Sequence, residues 1–367
     1  MFGGEAYRLT GSGILTQSFY KMYDIGIIGA GTAGVTLARL VSGGRRVLLL
    51  DRCRRKCCGG ILAPEAQRLL AQLDLALPKS VLVDPQPFAV TVIDAKSQLM
   101  RHYSRQYVNI CRDKFDQWLL SMVPDSVDVR SNAVYKSAIV EAGVSEAGGC
   151  LTVNFTENGE QKTEKVKCLV GADGGASSVR EQFFKTNPKL KKYIAFQDWF
   201  DNNEIKTEIG SIASSINFHN NYVGIFYNDL TDFYCWTIPK DGQLLIGGAI
   251  PLLPDARNRF EDFKNYLNSI GLKIGQAKKH ELALIVRPMS TAAINLGNDN
   301  VLLIGEAAGL ISPTSAEGIS AALASASALA NAINSNKNTL NEYKRNAKKI
   351  IWNIKLKYLK KPAMFNP

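Results

Sequence analysis

Histidine is scarce in this chain, and cysteine is present without pattern. Three histidines, His102, His219 and His280, are scattered through 367 residues, and none of the seven cysteines forms a C-x-x-C pair. A zinc site needs about four converging nitrogen or sulfur ligands, and no spacing here supplies them, so no metal is expected. An odd cysteine count with irregular spacing also argues against a disulfide framework and for a reducing cytoplasm. Residues 1–21 lack the charged start and continuous apolar core of a secretory leader. Met22 followed by YDIGIIGAG reads as a natural beginning, so 1–21 are expected to be an extension. A membrane span needs about 20 mostly apolar residues. The longest weakly charged stretch, 307–333, is broken by Pro313, Glu317 and several serines, and reads as a buried helix instead. Internal repeats and Gly/Ser linkers are missing too.

What is present suits a large core. Hydrophobic residues make up 46% of the chain and aromatics are spread along it, which excludes a disordered polymer. The formal charge is +11, and most of it sits in one tract: eight Lys or Arg and no Asp or Glu between Lys344 and Lys361. Such an excess favours an anionic ligand, a nucleotide cofactor or an acidic surface. Because Ile350, Ile351, Trp352, Ile354, Leu356 and Leu359 are interleaved with those cations, the tract reads as a basic helix. It either packs its apolar side on the body or makes peripheral membrane contact. Nucleic acid has nothing beyond charge to recommend it and is not expected.

The stretch YDIGIIGAGTAGVTLARLV is an apolar strand, a glycine turn and a small-residue helix, and RRVLLLD is a second buried strand closing on Asp51. In Gly29-Ala30-Gly31-Thr32-Ala33-Gly34 the first glycine allows the turn and the second lets a pyrophosphate reach the backbone. The third lets helix and strand pack closely. Asp51, twenty residues beyond Gly31, stands where an acid binds ribose hydroxyls. Two more strand–glycine–helix units follow, KCLVGADGGASSVREQFF and NVLLIGEAAGLISPTSAEGIS. Between them, 193–250 alternates with period 2 and 256–270 has the spacing of an amphipathic helix. Mixed segments of this kind imply two domains whose chain crosses back and forth.

Gly171-Ala172-Asp173-Gly174 with Ser177 and Arg180, then Gly305-Glu306-Ala307-Ala308-Gly309 with Pro313 and Glu317-Gly318-Ile319, stand in order behind the first motif. On these residues the chain, from about Tyr23 to Ile333, resembles the FAD-dependent family of the para-hydroxybenzoate hydroxylase type and the geranylgeranyl reductases. That resemblance implies an α/β fold: a Rossmann-like FAD-binding domain (22–87, 108–192 and 281–334) with a parallel sheet of glutathione-reductase type. An antiparallel substrate domain (88–107 and 193–280) and a C-terminal helix (335–367) complete it. It implies FAD held by Gly29, Gly31, Thr32, Ala33, Gly34, Asp51, Arg52, Cys58, Gly59, Arg112, Asp173, Gly174, Gly305, Glu306, Pro313, Glu317, Gly318 and Ile319. Glu306 stands where the family usually has Asp, and Ala316 where it usually has Gly.

Two features resemble the reductase branch in particular. KCCGGILAPEA carries a Cys-Gly loop, Cys58-Gly59-Gly60, and Tyr234-Cys235-Trp236-Thr237-Ile238-Pro239 carries its aromatic-x-Trp-x-hydrophobic-Pro strand. Cys58, Tyr234 and Trp236 are therefore the candidates for the substrate side, although each residue type is equally at home in a core. The resemblance implies hydride transfer from reduced flavin to a double bond of a hydrophobic, prenyl or lipid substrate. The alternative is a monooxygenase that hydroxylates an aromatic through a C4a-hydroperoxide; a non-catalytic FAD-binding protein is the third reading. No second G-x-G-x-x-G occurs, so the electron donor, NAD(P)H or a reduced protein carrier, is expected to dock at the flavin from outside. A cytoplasmic, optionally membrane-associated, protein is expected.

Overall fold

The computed structural model describes residues 6–8, 16–18 and 22–365, apart from 55, 88, 142–148, 186, 187, 189, 217–221, 299 and 336. Of the expected extension, Ala6–Arg8 and Thr16–Ser18 form an antiparallel pair; the rest of 1–21 lies outside the described residues. The fold class expected from the sequence holds: a parallel sheet flanked by helices is interleaved with a mainly antiparallel one.

At the centre of the first sheet lies the long strand Glu160–Gly171. Its first half makes a hairpin with Leu151–Glu157 through Asn158 and Gly159, both at positive φ. Its second half runs parallel to Tyr23–Ile28 on one side and Val301–Leu303 on the other. Val47–Leu50 and Val127–Arg130 extend the parallel order beyond Tyr23–Ile28. The central strands are buried on both faces, so they read as unbroken Ile, Leu and Val.

The second sheet has seven strands, in the order Lys279–Arg287, Lys191–Asp201, Gln243–Pro251, Cys235–Lys240, Tyr222–Tyr227, Ala89–Asp94, Met100–Ser104. One pairing inside it is parallel, Tyr222–Tyr227 with Ala89–Asp94. Helix Ala256–Ser269 covers one face because its apolar residues recur at helical spacing: Ala256, Phe260, Phe263 and Leu267 are buried. Phe260 stacks on Phe196 at 5.1 Å between ring centroids, and Phe263 meets Phe226 edge-on at 5.3 Å. Each such phenyl contributes about 1.5–3 kcal/mol of burial. The opposite face looks onto the parallel-sheet domain, where Gly59 approaches Ile238 and Cys57 bonds Gln197.

One boundary needs correcting. Lys279–Arg287 pairs with Lys191–Asp201 from Lys191↔Arg287 to Trp199↔Lys279, so 281–287 belong to the antiparallel sheet rather than to the parallel domain. Its apolar run Leu282–Val286 resembles a parallel-sheet strand locally, and the distant partner decides.

Helix Ile319–Ile333 packs against helix Thr32–Val41 through alanines, and helix Thr339–Phe365 packs on it in turn. The fully buried Tyr343 donates its hydroxyl hydrogen to the Leu303 carbonyl at 3.0 Å, fastening the terminal helix to a central strand. No helix among the described residues is long and apolar enough to cross a membrane.

Candidate functional site

Three glycine bends meet at the carboxyl ends of the central strands of the parallel sheet. Register aligns Ile28 with Gly171 and Gly171 with Leu303, so three neighbouring strands end at one level and turn there. Ala172 N–H donates to the Ile28 carbonyl (2.8 Å), Ile304 N–H to Gly171 (3.0 Å) and Gly29 N–H to Leu50 (2.8 Å). Gly29 turns at φ +103, a left-handed conformation closed to most side chains. The bends are in contact pairwise. A Cβ on Gly29 would stand 2.7 Å from the Ala172 carbonyl oxygen, one on Gly305 3.1 Å from the Ala33 methyl, and one on Gly175 2.7 Å from Glu306 Oε1.

Amid this packing Gly31 is open: a Cβ there would meet nothing within 4 Å. It is the N-cap of helix Thr32–Val41, with no side chain capping it and no acid in the first turn, so free N–H groups and the positive dipole end face the opening. Thr32 and Ala33 are buried beside it. Arg112, buried at the start of helix Arg112–Ser121, donates from Nη2 to Thr32 Oγ1 at 3.4 Å and from Nε to Asp116 at 3.0 Å. Burial favours its neutral form, but the Asp116 carboxylate and the Cys58 sulfur outweigh that, so the guanidinium stays charged. Asp51 is half-buried at the end of Val47–Leu50, pinned by backbone bonds to Arg130 and Ala133, and Arg52 beside it is exposed. Asp173 Oδ2 accepts from the Ser178 and Val179 N–H groups, while Oδ1 is buried without a partner among the described residues. Burial raises that carboxyl above its ordinary range. An open anion-seeking helix end, an acid one strand away and an orphaned polar oxygen fit a dinucleotide.

The third bend is held from inside. Gly305 N–H donates to Ser325 Oγ at 2.9 Å, and Glu306 accepts from Val286 N–H (3.1 Å) and the Lys56 ammonium (2.9 Å). Both carboxylate oxygens of Glu306 are thus engaged by protein groups. Gly174 turns beside Asp173 at positive φ, and Pro313 is buried in the segment leading to helix Ile319–Ile333. Glu317 accepts from Ser320 N–H and Oγ, satisfying one donor at the helix start, and Gly318 and Ile319 open that helix. Ala316 sits at φ +50, where glycine would be unstrained. Its methyl packs against the Tyr193, Phe233 and Ala249 cluster.

The Cys57–Gly60 loop is laid against the inner face of the antiparallel sheet. Cys57 Sγ donates to Gln197 Oε1 at 3.1 Å, and a Cβ on Gly59 would stand 2.8 Å from Ile238 Cδ1. Burial pushes the Cys57 thiol well above its usual range, and Glu281 adds to this. Cys58 Sγ accepts from Gly60 N–H at 3.4 Å and lies against the Arg112 guanidinium. Both cysteines are free thiols. Tyr234 donates its hydroxyl hydrogen to the Ser315 carbonyl at 2.7 Å, and burial holds its phenol well above the ordinary range. Trp236 meets Tyr234 edge-on at 6.0 Å and lies over Gly247, its cross-strand partner. The indole N–H is buried with no acceptor among the described residues. Gly247→Ala would put a methyl 2.4 Å from Trp236 Nε1. The indole is therefore expected to be displaced, with a changed near-ultraviolet circular dichroism spectrum and about 1–3 kcal/mol lost in denaturant titration.

Sequence reasoning missed Lys240. It is 4% exposed, and its ammonium donates to Asn109 Oδ1 (2.5 Å), the Ile110 carbonyl (2.9 Å) and the Gly60 carbonyl (3.5 Å). Burial holds its pKa down to about 8, with Cys58, Cys111 and Asp241 pushing the other way. The lysine thereby ties the end of the aromatic strand to the cysteine loop. A signal did exist: Trp236, Ile238 and Lys240 share one parity of the strand. No group of three or more His, Cys, Asp or Glu among the described residues is placed to hold a metal.

The two interleaved sheets and their three meeting bends are the fold of the two-domain FAD-dependent oxidoreductases. A geranylgeranyl bacteriochlorophyll reductase-like protein from Thermoplasma acidophilum superposes with a TM-score of 0.69 at 19% identity, over 94% of this chain and 84% of its own. PqsL of Pseudomonas aeruginosa, a probable FAD-dependent monooxygenase, superposes with a TM-score of 0.67 at 15% identity, over 94% and 97%. No family model matches the chain. Among curated proteins, CbrA of Escherichia coli O9:H4 (strain HS) is 37% identical over 314 residues, covering 84% of this chain and 80% of that protein. The chain belongs to the CbrA family.

Proposed function

We propose that the chain is an FAD-dependent oxidoreductase that reduces a carbon–carbon double bond of a hydrophobic, prenyl or lipid-like substrate. The observation that carries the FAD part of this reading is the meeting of three glycine bends around the open helix end at Gly31. The Cys58-Gly59-Gly60 loop, laid against the strand Cys235–Lys240, favours the reductase chemistry. A pyrophosphate suits that opening through charge and free N–H groups. Asp51 would hold the ribose hydroxyls, Arg112 the phosphate region, Asp173 a donor on the cofactor, and the segment through Pro313 to Ile319 the chain leading to the flavin ring. Bound FAD, once reduced, supplies a hydride.

The chain's own residues do the rest. Tyr234 meets Tyr227 and Trp236 edge-on, Tyr107 packs in one cluster with Trp236, and these four half-buried rings give an apolar lining. Tyr234 is oriented by Ser315 and kept protonated by burial. Cys58, on the loop between the bends and the sheet, is the thiol assigned to give a proton to the second carbon. NAD(P)H or a reduced protein carrier would supply electrons from outside.

The purified chain is expected to be yellow and to release equimolar FAD on denaturation; a colourless chain that takes up none at micromolar concentration removes the reading. Cys58→Ala is expected to keep FAD and lose roughly a hundredfold in turnover of a prenyl alkene. The four aromatic rings favour one second reading, hydroxylation of an aromatic. Air admitted to the photoreduced protein with its substrate separates the two. Free hydrogen peroxide without product goes with the reductase, and a hydroxylated product formed with oxygen uptake goes with the second reading.

A further inference from the structure

Helix Thr339–Phe365 has a docked side and an outer side. Tyr343, Ala347 and Ile354 are buried against the body, with Ile350, Ile351 and Tyr358 half-buried around them, so the packing need of the helix is met. Large apolar side chains nonetheless face outward: Trp352 is 56% exposed, Leu356 37% and Leu359 70%. With Lys348 and Lys355 they recur at i, i+4, i+7, i+8 and i+11, one stripe about 17 Å long at 1.5 Å per residue. The Lys355 ammonium lies 5.4 Å from the centre of the Trp352 ring. Trp352, Lys348, Lys349 and Lys355 line a shallow hollow of about 510 Å³ with Thr291, and the neighbouring Met289 is 53% exposed.

The charge on this helix beyond Glu342 has one sign, and the nearby Asp232 carboxylate is held by Arg287, which faces the helix's Tyr358, and by Lys191. No acid occurs after Glu342, which is occupied by Lys337 and Arg345, and the underlying helix Ile319–Ile333 carries no charged residue. A second copy of the chain would set lysines against lysines in a self-complementary contact. A nucleic acid would take the lysines and leave Trp352, Leu356 and Leu359 in water. Anionic lipid accepts both parts: headgroups take the ammonium groups, worth about 1 kcal/mol each near the surface, and the apolar side chains enter the boundary beneath them.

We propose that the outer face of this helix, Lys348, Lys349, Trp352, Lys355, Leu356 and Leu359, is a docking surface for an anionic phospholipid bilayer. The contact is independent of the catalytic reading and holds whatever the site reduces.

The test is co-sedimentation of the full chain with vesicles of phosphatidylcholine alone and of phosphatidylcholine mixed with phosphatidylglycerol. The chain is expected to sediment with the mixed vesicles, to stay in solution with the neutral ones, and to be released by high salt. Lys348→Ser with Lys355→Ser is expected to weaken binding roughly thirtyfold. Trp352→Ser with Leu359→Ser is expected to weaken it comparably, both pairs keeping the wild-type melting temperature. Equal sedimentation with both vesicle types overturns the proposal. So does a dimer in analytical ultracentrifugation that either double variant abolishes, or an RNA oligonucleotide bound equally well after Trp352→Ser with Leu359→Ser. If a variant fails to fold, the wild-type comparison of lipids and salt still decides. Because sedimentation is read whatever the flavin content, its failure leaves the catalytic proposal standing, and the reverse also holds.

Discussion

Gly31→Glu is expected to fold normally and to lose FAD. Its backbone, at φ −74, is one any residue adopts, and nothing in the chain lies within 4 Å of the added Cβ. The new carboxylate would stand where the pyrophosphate is expected. Two like charges about 4 Å apart repel by about 4 kcal/mol at a partly screened site, close to a thousandfold in affinity. Gly34→Ala, three residues on, is the contrast. Its methyl would lie 1.9 Å from the Gly29 carbonyl oxygen, so helix and turn cannot both keep their places. Circular dichroism and released flavin should therefore separate the two variants: native spectrum without flavin for the first, loss of fold for the second. A Gly31→Glu protein that is yellow and binds FAD with wild-type affinity would sink the placement.

The second large effect is expected at Lys240. Its folded pKa of about 8 lies below the ordinary 10.5, so between those values the unfolded chain binds more protons. Stability from this group therefore rises as pH increases from about 8 to 10.5, and it is constant below that window. At ~1.4 kcal/mol per pH unit the rise amounts to ~3 kcal/mol. Lys240→Met should abolish that rise and leave Asn109 Oδ1 and the Ile110 carbonyl without their donor, at about 1–3 kcal/mol each. The variant is thus expected to be destabilised more at pH 10 than at pH 7. Urea titration of both proteins at the two pH values checks it, and parallel changes in the pair would refute the linkage.

These two positions also mark how far the sequence could be read. The glycine turns, the acid after the second strand and the Phe260, Phe263, Leu267 stripe are local signals: spacing along the chain encodes them. That the bends touch is a matter of register between Ile28, Gly171 and Leu303, which pairing across the sheet sets. Resemblance supplied that expectation, and the geometry carries it. Lys240 is hard to find from sequence because lysine is ordinarily a surface residue. The Asp241–Gly242 turn, where Asp241 N–H donates to the Asp84 carbonyl, and the Asn109 side-chain amide, which donates to the Pro239 carbonyl, bring the two domains together over it. The placement of 281–287 escapes the sequence for a similar reason, since the partner strand lies some eighty residues or more away. Cys57 and Cys58, the most conspicuous pair in the chain, are separate thiols with separate neighbours, one on Gln197 and one beside Arg112.

The three bends come from the beginning, the middle and the far end of the polypeptide, and the terminal helix fastens to the last of their strands through Tyr343. On the ribosome, then, the nucleotide crevice cannot close until the chain through Ile319 has emerged. Uptake of its prosthetic group waits for that last bend, and until then the half-built parallel sheet presents an unpaired edge where Val301–Leu303 will dock.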